Sequence, residues 1–324
     1  MFREKCTIIE NKMVAPGHYI LRLASPRISK NAKPGQFIQV LCADPSTSSG
    51  LSSTDPLLPR PFSFLTASKK DFSILYQVVG NGTKILSQAA RNDSLWILGP
   101  LGNGFTLDNK SKVKSQKSKQ GQSFTLVGGG VGIPPLYHLT QQLLRSKVSK
   151  NDIHVFLGAR NRSLLLCEKD FKKLGVDLKV ATDDGSKGRN GFVTEMLEEF
   201  LKSRQKTADR IQEKQNSPLS TDYCLPSTQI FTCGPTPMLK AVSTLSKKYK
   251  VPCEVSVEVP MACGFGACLG CAIKVKNQVD SRKKTEDRKS LSSSTVYSLQ
   301  STDYRFAIAC TEGPVFQAGD IVWE

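Results

Sequence analysis

Four cysteines toward the end of the chain have the spacing of an iron–sulfur site. Cys263, Cys268 and Cys271 follow the pattern C-x4-C-x2-C, and Cys310 follows after a gap of 38 residues. Plant-type ferredoxins hold a [2Fe–2S] cluster with this spacing and a distant fourth cysteine. The three glycines within the motif permit tight left-handed turns, which let backbone N–H groups face the cluster sulfurs. The segment therefore predicts a [2Fe–2S] cluster held by these four thiolates.

Structural zinc is the main alternative for this motif. Structural zinc sites usually contain two C-x2-C pairs, and here only Cys268 and Cys271 form one. The polar segment Asn277–Asp303 separates Cys310 from the other three cysteines. We expect the cysteines outside the motifs to be core or surface thiols, namely Cys6, Cys42, Cys167, Cys224 and Cys253.

A second group of residues has the chemistry to bind a flavin. Arg60-Pro61-Phe62-Ser63 precedes an apolar strand, and Leu75-Tyr76-Gln77 belongs to the next one. An arginine can bind a pyrophosphate, and a hydroxyl can bind the edge of a flavin ring. Gly82-Thr83 then opens a helical stretch whose free N–H groups suit phosphate. The Arg-Pro-x-Ser motif alone fits an ordinary turn equally well, but together with Gly82-Thr83 it favours FAD.

A glycine-rich loop between a strand and a helix predicts a dinucleotide site. Gly128, Gly130 and Gly132 give the pattern G-x-G-x-G-x-x-P, which departs from the G-x-G-x-x-G fingerprint at its last position. Such a loop lets a pyrophosphate approach a helix N-terminus. Cys233-Gly234-Pro235 ends a later strand, where ligands of open α/β sheets bind. Cys233 is either a catalytic residue beside a nicotinamide ring or a small buried residue.

Two further segments leave the choice of dinucleotide open. Thr182-Asp183-Asp184-Gly185-Ser186 ends the third strand, where it either faces the nucleotide or forms an Asx-type turn. Arg160 and Arg162 follow the second strand and can face a ribose 2′-phosphate. The sequence thus predicts a nicotinamide cofactor without deciding between NAD and NADP.

Three blocks of sequence must position these residues. Residues 1–107 contain short strands punctuated by turns, which predicts a small antiparallel β-barrel that binds FAD. Residues 123–250 alternate apolar strands with helices, which predicts a doubly wound parallel sheet that binds NAD. Residues 251–324 are expected to form a small domain that needs its bound cluster for stability. The predicted fold class is a multidomain β-barrel plus α/β protein.

Polar segments interrupt these blocks, and one of them carries five lysines of a chain whose formal net charge is +17. Because they show no apolar periodicity, we expect surface insertions at Asp44–Pro56, Asn109–Gln122, Ser203–Asp222 and Asn277–Asp303. The lysines of Lys110–Lys119 have no interleaved aromatic residues, so they predict a solvated loop and no nucleic-acid partner. The chain begins with charged residues and lacks an apolar stretch of about 18 residues, so we expect a cytoplasmic protein without membrane insertion.

The order of these motifs resembles the ferredoxin reductase superfamily over nearly the whole chain outside the insertions. Within it, the segments 256–271, 182–186 and 309–316 are similar to the electron transfer subunit of B-type dihydroorotate dehydrogenase. Val259-Pro260 departs from the more polar residues expected there. We expect this departure to alter a partner contact rather than a ligand site.

The resemblance implies FAD on the Arg60, Leu75 and Gly82 motifs, the [2Fe–2S] cluster on the four cysteines, and NAD on the second domain. It also implies a heterotetramer of two such chains with two FMN-containing catalytic subunits. Electrons from dihydroorotate would pass through FMN, the cluster and FAD to NAD⁺ in pyrimidine biosynthesis. The chain itself offers no site for dihydroorotate. The alternatives are a reductase subunit serving a hydrogenase, transhydrogenase or glutamate-synthase-like partner, and a binding or sensory protein that uses the cluster structurally.

Overall fold

The computed structural model describes residues 1–43, 56–107, 122–215, 228–277 and 303–323. The predicted insertions around Asp44, Asn109 and Asn277 lie almost entirely outside these residues, as do the lysines of Lys110–Lys119 and Cys224. The expectations about them remain predictions.

The N-terminal block forms a closed antiparallel barrel with the strand order β1-β2-β5-β4-β3-β6. Its strands are β1 (Phe2–Ala15), β2 (His18–Ala24), β3 (Phe37–Leu41), β4 (Arg60–Ala67), β5 (Asp71–Gln77) and β6 (Ser94–Leu101). Helix α1 (Pro26–Asn31) connects β2 to β3, and helix α2 (Asn81–Gln88) connects β5 to β6. Closure leaves the barrel without a free edge strand, and the predicted barrel is confirmed.

Alternation along β3 separates the barrel core from a second contact surface. Ile38 and Val40 belong to the buried core of the barrel. Phe37 belongs instead to a cluster that contains Cys271 and Cys310. Because successive side chains of a strand point to opposite faces, Phe37 and Gln39 lie on the outer face of the barrel, toward the cysteine motif.

The remaining strands follow the barrel in the chain. They are β7 (Ser123–Gly129), β8 (Ile153–Ala159), β9 (Asp177–Thr182), β10 (Arg189–Asn190), β11 (Thr228–Cys233), β12 (Cys253–Ser256), β13 (Ala272–Lys276), β14 (Tyr304–Ile308) and β15 (Val315–Gln317). Seven of them form one sheet in the order β10-β9-β8-β7-β11-β12-β15, and β13 pairs with β14 separately. Neighbours in the large sheet are parallel, except that β15 is antiparallel to β12.

Helices cover both faces of the large sheet, as the doubly wound prediction requires. They are α3 (Ile133–Arg145), α4 (Glu168–Leu174), α5 (Val193–Gln215) and α6 (Thr236–Lys248). Side chains of α3 and α4 pack with Leu126 and Leu157 on one face. Side chains of α5 and α6 pack with Val127 and Phe156 on the other. Among the described residues, no helix is both long and apolar enough to cross a membrane.

Helix α5 corrects the prediction of a polar insertion over Ser203–Asp222. The helix begins at Val193 and continues into the predicted insertion as far as Gln215. Its inner face is held by the fully buried Leu201 and by Arg204, whose guanidinium donates to Ser123 Oγ over 2.9 Å. A few inward contacts on a helix turn are enough to order this segment, although its composition is mostly polar.

Two strands of the C-terminal block belong to the large sheet. Strand β12 pairs with β11, and β15 pairs with β12. The cysteine motif and the β13–β14 pair lie in the chain between β12 and β15. We therefore propose that the cluster domain is an excursion over residues 257–314 from the edge of the nucleotide-binding sheet, instead of everything after residue 251.

The buried face of α5 gives a test of this packing. Leu201→Ala should lower the free energy of unfolding by about 2–5 kcal/mol, because it leaves a cavity between α5 and the sheet. Gln205→Ala, an exposed change one turn later, should alter stability little. Urea unfolding followed by circular dichroism measures both, and equal stability of the two variants would contradict the buried face of α5.

Candidate functional site

A cavity of about 460 Å³ opens between the barrel, the large sheet and the segment after β12. It is lined by all but one of the predicted flavin residues, namely Arg60, Pro61, Phe62, Ser63, Leu75, Tyr76, Gln77 and Thr83. The exception is Gly82, where an added Cβ would lie 2.9 Å from Pro56 Cγ. Gly82 therefore allows α2 to pack closely behind the cavity wall. The pairing of β4 with β5 brings the two motifs together.

Arg60 fits the pyrophosphate of FAD. Its Nη1 donates to the carbonyl oxygens of Leu58 and Pro59 over 2.8 and 3.3 Å. It has no carboxylate partner among the described residues, and a guanidinium carries five N–H donors. The remaining donors suit a bidentate contact with phosphate oxygens.

The Thr83 hydroxyl forms its hydrogen bonds within the turn before α2. The hydroxyl accepts the N–H groups of Val79 and Gly80 over 2.9 and 3.2 Å and donates to the carbonyl of Gly80. The side chain therefore fixes the turn before α2. The backbone N–H groups at the start of α2 are the donors that suit a phosphate.

Aromatic side chains make the barrel side of this cavity rigid. Tyr76 is fully buried and stacks on Tyr19 with ring centroids 5.5 Å apart. Phe62 meets the edge of Tyr76 at 5.8 Å. The Tyr76 hydroxyl donates to Asn11 Oδ1 over 3.1 Å. Such a wall suits a flat aromatic ligand, because little side-chain motion is lost when it binds.

Cys233 lies on the wall of this first cavity, at the end of β11. Its side chain is 3% exposed. Burial, followed by the nearby charge of Glu258, raises the pKa of the Cys233 thiol far above its ordinary value, although a hydrogen bond with Ser256 opposes this. Cys233 is therefore a neutral thiol, which can hold a proton beside a bound ligand and does not act as a thiolate nucleophile.

Glu258 is a candidate that the sequence reasoning missed. It lines the same cavity as Cys233, and although its side chain reaches solvent, desolvation raises the pKa of its carboxyl. A raised pKa makes this carboxyl easier to protonate than an ordinary glutamate, which is the property required of a general acid. The available signal was a single acid within the apolar stretch Val257–Met261.

A second cavity, of about 640 Å³, lies where parallel strands of the sheet end, the usual ligand position in open α/β sheets. Its walls include Gly129 and Gly130 of the glycine-rich loop together with Pro235, and Gly158, Ala159, Arg160, Asp183 and Phe192. Gln77 and Val131 line both cavities. A ligand in the second cavity can therefore reach one in the first.

The glycine-rich loop works mainly through close packing. Gly130 has φ +55° and open space around it, so its backbone faces the cavity. An added Cβ at Gly132 would lie 2.4 Å from the backbone nitrogen of Gly234, and one at Gly128 would lie 2.9 Å from Leu136 Cδ1. Gly128, Gly132 and Gly234 do not line the cavity. They let the loop, α3 and the turn after Cys233 approach one another.

The structure brings the four motif cysteines together in two pairs. The N–H of Cys268 points at Cys263 Sγ, and the N–H of Cys310 points at Cys271 Sγ, each over 3.4 Å. The second pair forms because β13 and β14 are antiparallel, with Ala272 opposite Ile308. Cys271 and Cys310 are buried, Cys263 is half-buried and Cys268 is exposed.

The environment of these thiols fits an iron–sulfur cluster. Burial opposes ionisation of Cys263, but N–H groups of Cys268, Phe265 and Ala267 outweigh it and lower the pKa to about 6. Burial and the neighbouring Cys271 raise the pKa of Cys310 to about 12. Within the described ranges, no three His, Cys, Asp or Glu side chains converge as ligands of one metal ion. Two separate thiol pairs suit a binuclear cluster better than a single zinc ion.

The segment before the motif connects the cluster site to the first cavity. Val259, Pro260 and Met261 line that cavity. Pro260 and Met261 also line a smaller cavity of about 340 Å³ that reaches Ala262 and Gly270. The Val259-Pro260 departure therefore lies on the wall of the candidate flavin site, which corrects the expectation that it affects only a partner contact.

Two parts of the chain match known families. Residues 126–244 match the oxidoreductase NAD-binding domain. Residues 258–285 match the iron-sulfur cluster binding domain of dihydroorotate dehydrogenase B. The two matches cover most of the residues that line the second cavity and the first three of the four motif cysteines.

Curated relatives match along almost the whole chain. The electron transfer subunit of dihydroorotate dehydrogenase B (NAD(+)) from Desulforamulus reducens is 34% identical over 314 residues, which is 96% of this chain and 95% of the relative. The subunit of the same description from Geobacillus sp. strain WCH70 is 31% identical and covers 99% of each chain.

Solved structures share the fold. NADH-dependent reduced ferredoxin-NADP oxidoreductase is similar with a TM-score of 0.68 and 25% identity, over 98% of this chain and 90% of that one. The cytochrome b5 reductase domain of Ulva prolifera nitrate reductase gives a TM-score of 0.55 and 17% identity, over 77% of this chain and 93% of that one. The latter likeness concerns the fold alone.

The two thiol pairs lead to a test of the ligand assignment. Cys268→Ser and Cys310→Ser should each remove the [2Fe–2S] absorption and its paramagnetic signal while FAD stays bound, because the flavin cavity is built from other residues. Cys167→Ser, outside the motif, should keep both chromophores. Visible spectra with iron and flavin analysis give the result, and unchanged iron in Cys310→Ser would remove Cys310 from the ligand set.

Proposed function

Since this chain belongs to the family of dihydroorotate dehydrogenase B electron transfer subunits, we propose that its two cavities and its cysteine loop hold FAD, NAD and the [2Fe–2S] cluster as neighbours on one electron path. The chain is an oxidoreductase subunit of pyrimidine biosynthesis that uses these three cofactors. The observation that supports the proposed arrangement is that neighbouring cavities share some of the residues that line them. Gln77 and Val131 border both cavities, and Pro260 and Met261 border the first cavity and the space beside the cysteine loop.

The cofactors supply the redox chemistry: FAD exchanges a hydride with NAD and single electrons with the cluster. The residues of the chain bind and orient them. We assign the pyrophosphate of FAD to Arg60 and to the N–H groups at the start of α2. Ser63 and the aromatic wall around Tyr76 border the flavin ring. Gly129 and Gly130 face the pyrophosphate of NAD at the start of α3.

Cys233 and Glu258 are the proposed proton-holding groups at the flavin. Both line the first cavity. Burial keeps the Cys233 thiol neutral. Desolvation favours the protonated form of Glu258. A neutral thiol here avoids placing a fixed negative charge against a ring that becomes more electron-rich on reduction.

As an electron transfer subunit, the chain acts with a catalytic dihydroorotate dehydrogenase subunit. We propose that this FMN-containing partner docks on the exposed part of the cysteine loop, where Phe265 and Leu269 are 49% and 60% exposed beside Cys268. Two copies of each chain would give the heterotetramer. The cysteines of the described residues form no disulfide, which suits the reducing cytoplasm. A hydrogenase, transhydrogenase or glutamate-synthase-like partner is not favoured, since the matched cluster domain is that of dihydroorotate dehydrogenase B.

Asp183 gives a physical reason for NAD over NADP. It directly follows β9 and lines the second cavity, as does Arg160, which directly follows β8. The N–H of Asp184 bonds to the carbonyl of Arg160 over 3.2 Å, so the two strand ends are held side by side. A carboxylate at this position accepts a hydrogen bond from the ribose 2′-hydroxyl and repels a 2′-phosphate.

Asp183→Asn should therefore weaken the preference for NADH over NADPH by about tenfold or more, since hydrogen bonds to charged groups contribute about 1.5–3 kcal/mol. The ratio of kcat/KM values and the binding of 5′-AMP against 2′,5′-ADP measure it. Asp184→Asn is the matched control, because that carboxylate accepts the N–H of Ser186 over 2.9 Å and does not line the cavity. Equal effects of the two changes would contradict the role of Asp183.

The proposed path predicts an asymmetry between two reactions. The chain alone should pass electrons from NADH to an artificial acceptor and should not oxidise dihydroorotate. With the catalytic partner it should support dihydroorotate-dependent reduction of NAD⁺. Cys268→Ser should abolish dihydroorotate-dependent reduction of NAD⁺. It should leave electron transfer from NADH to the artificial acceptor unchanged, because hydride exchange between NADH and FAD does not use the cluster. Steady-state rates decide this, and coupling that survives loss of the cluster would refute the path.

A further inference from the structure

We propose that Gln39 is a positioning residue for the iron–sulfur cluster: its side-chain amide ties the turn around Cys263 to the flavin barrel and directs the positive end of its dipole toward the cluster. The inference rests on the proposed ligand role of the four cysteines. It concerns a barrel residue far from the motif in sequence.

Gln39 is a polar side chain in an apolar contact. It lies on β3 between Pro61 of β4 and Leu98 of β6, and it is 1% exposed. The same contact between the barrel and the cluster segment contains Phe37, Leu98 and Leu101. An amide in such a place needs partners, because burial removes it from water.

The amide touches the residues on both sides of Cys263. Gln39 Nε2 donates to the carbonyl oxygen of Ala262 over 3.5 Å. A Cβ added to Gly264, which has φ +80°, would lie 2.6 Å from Gln39 Cγ and 2.8 Å from Nε2. The left-handed turn at Gly264 is therefore packed directly against this side chain. Together the two contacts hold Cys263 at a fixed position relative to the barrel.

The hydrogen bonding at the other end of the amide shows that packing alone does not explain why residue 39 is a glutamine. Gln39 Oε1 is buried and has no hydrogen-bond partner among the described residues. An unpaired buried acceptor costs free energy, and an apolar side chain of similar length would avoid that cost. The compensating interaction of this amide is therefore at its Nε2 end, against the cysteine turn.

The orientation of the amide has an electrostatic consequence. Its N–H end faces the turn whose backbone N–H groups already converge on Cys263 Sγ. Reduction adds a negative charge to a cluster bound there, and nearby N–H dipoles stabilise that charge. Gln39 should therefore raise the reduction potential of the cluster.

The test replaces the amide without changing its length. Gln39→Met, in the chain carrying FAD and the cluster, should lower the midpoint potential and change the electron paramagnetic resonance line shape of the reduced cluster. Gln36→Met is the matched control: Gln36 precedes β3, and its Nε2 also donates to a backbone carbonyl, that of Gly102, over 2.8 Å. Gln36 does not contact the cysteine turn, so the cluster of the Gln36→Met variant should have the midpoint potential and spectrum of the wild type.

Gln39→Glu is a second variant that keeps the size and removes the N–H donors. It should lower the potential as well, and both Gln39 variants should slow the coupled reaction with the partner. The proposal would be overturned if the clusters in the Gln39 variants kept the midpoint potential and line shape of the wild type. It would also be overturned if Gln36→Met shifted the midpoint potential by the same amount as Gln39→Met. Absence of a cluster signal from the wild-type chain would instead refute the proposed function.

Discussion

The hydrogen bonds that join β12 to β11 and β15 to β12 determine where the cluster domain sits. The chain leaves the large sheet after Ser256 and returns to it at Val315. Residues just beyond both points, among them Val257 and Pro314, line the flavin cavity. The cysteine loop is therefore attached at both ends to the sheet that builds the nucleotide site, and no free linker separates it from the flavin.

The barrel completes this arrangement from the other side. Phe37 and Leu101 pack against Cys271 and Cys310, so the buried thiol pair faces the barrel while Cys268 remains exposed. The two ends of the site thus have different environments: one is enclosed by protein and the other borders solvent. Such a gradient of burial suits a cluster that must be held firmly yet remain within reach of a partner.

The sequence predicted the elements that are encoded by local patterns, and it missed features that form only where distant segments meet. The barrel, the doubly wound sheet and the cysteine spacing follow from local patterns. Glu258 had no motif, since its surroundings arise only when the segment after β12 folds over the flavin cavity. The sequence of the four-residue strand β12 does not indicate whether the strand begins a new domain or joins the large sheet. The extent of α5 was missed because its ordering contacts, such as Arg204 with Ser123, join residues far apart in the chain.

Because β13 and β14 pair with each other, the geometry of the cluster site does not depend on the length of the segment that connects them. The N–H of Asn277 bonds to the carbonyl of Asp303 over 3.1 Å, next to the last paired residues of the two strands. The segment that connects β13 to β14 therefore begins and ends at one point of the fold, whatever its length. The strand register that sets Cys310 beside Cys271 is fixed independently of that segment. Closing a longer loop costs little. This position is therefore a natural grafting point, where a peptide epitope or a reporter domain can be added without redesigning the metal site.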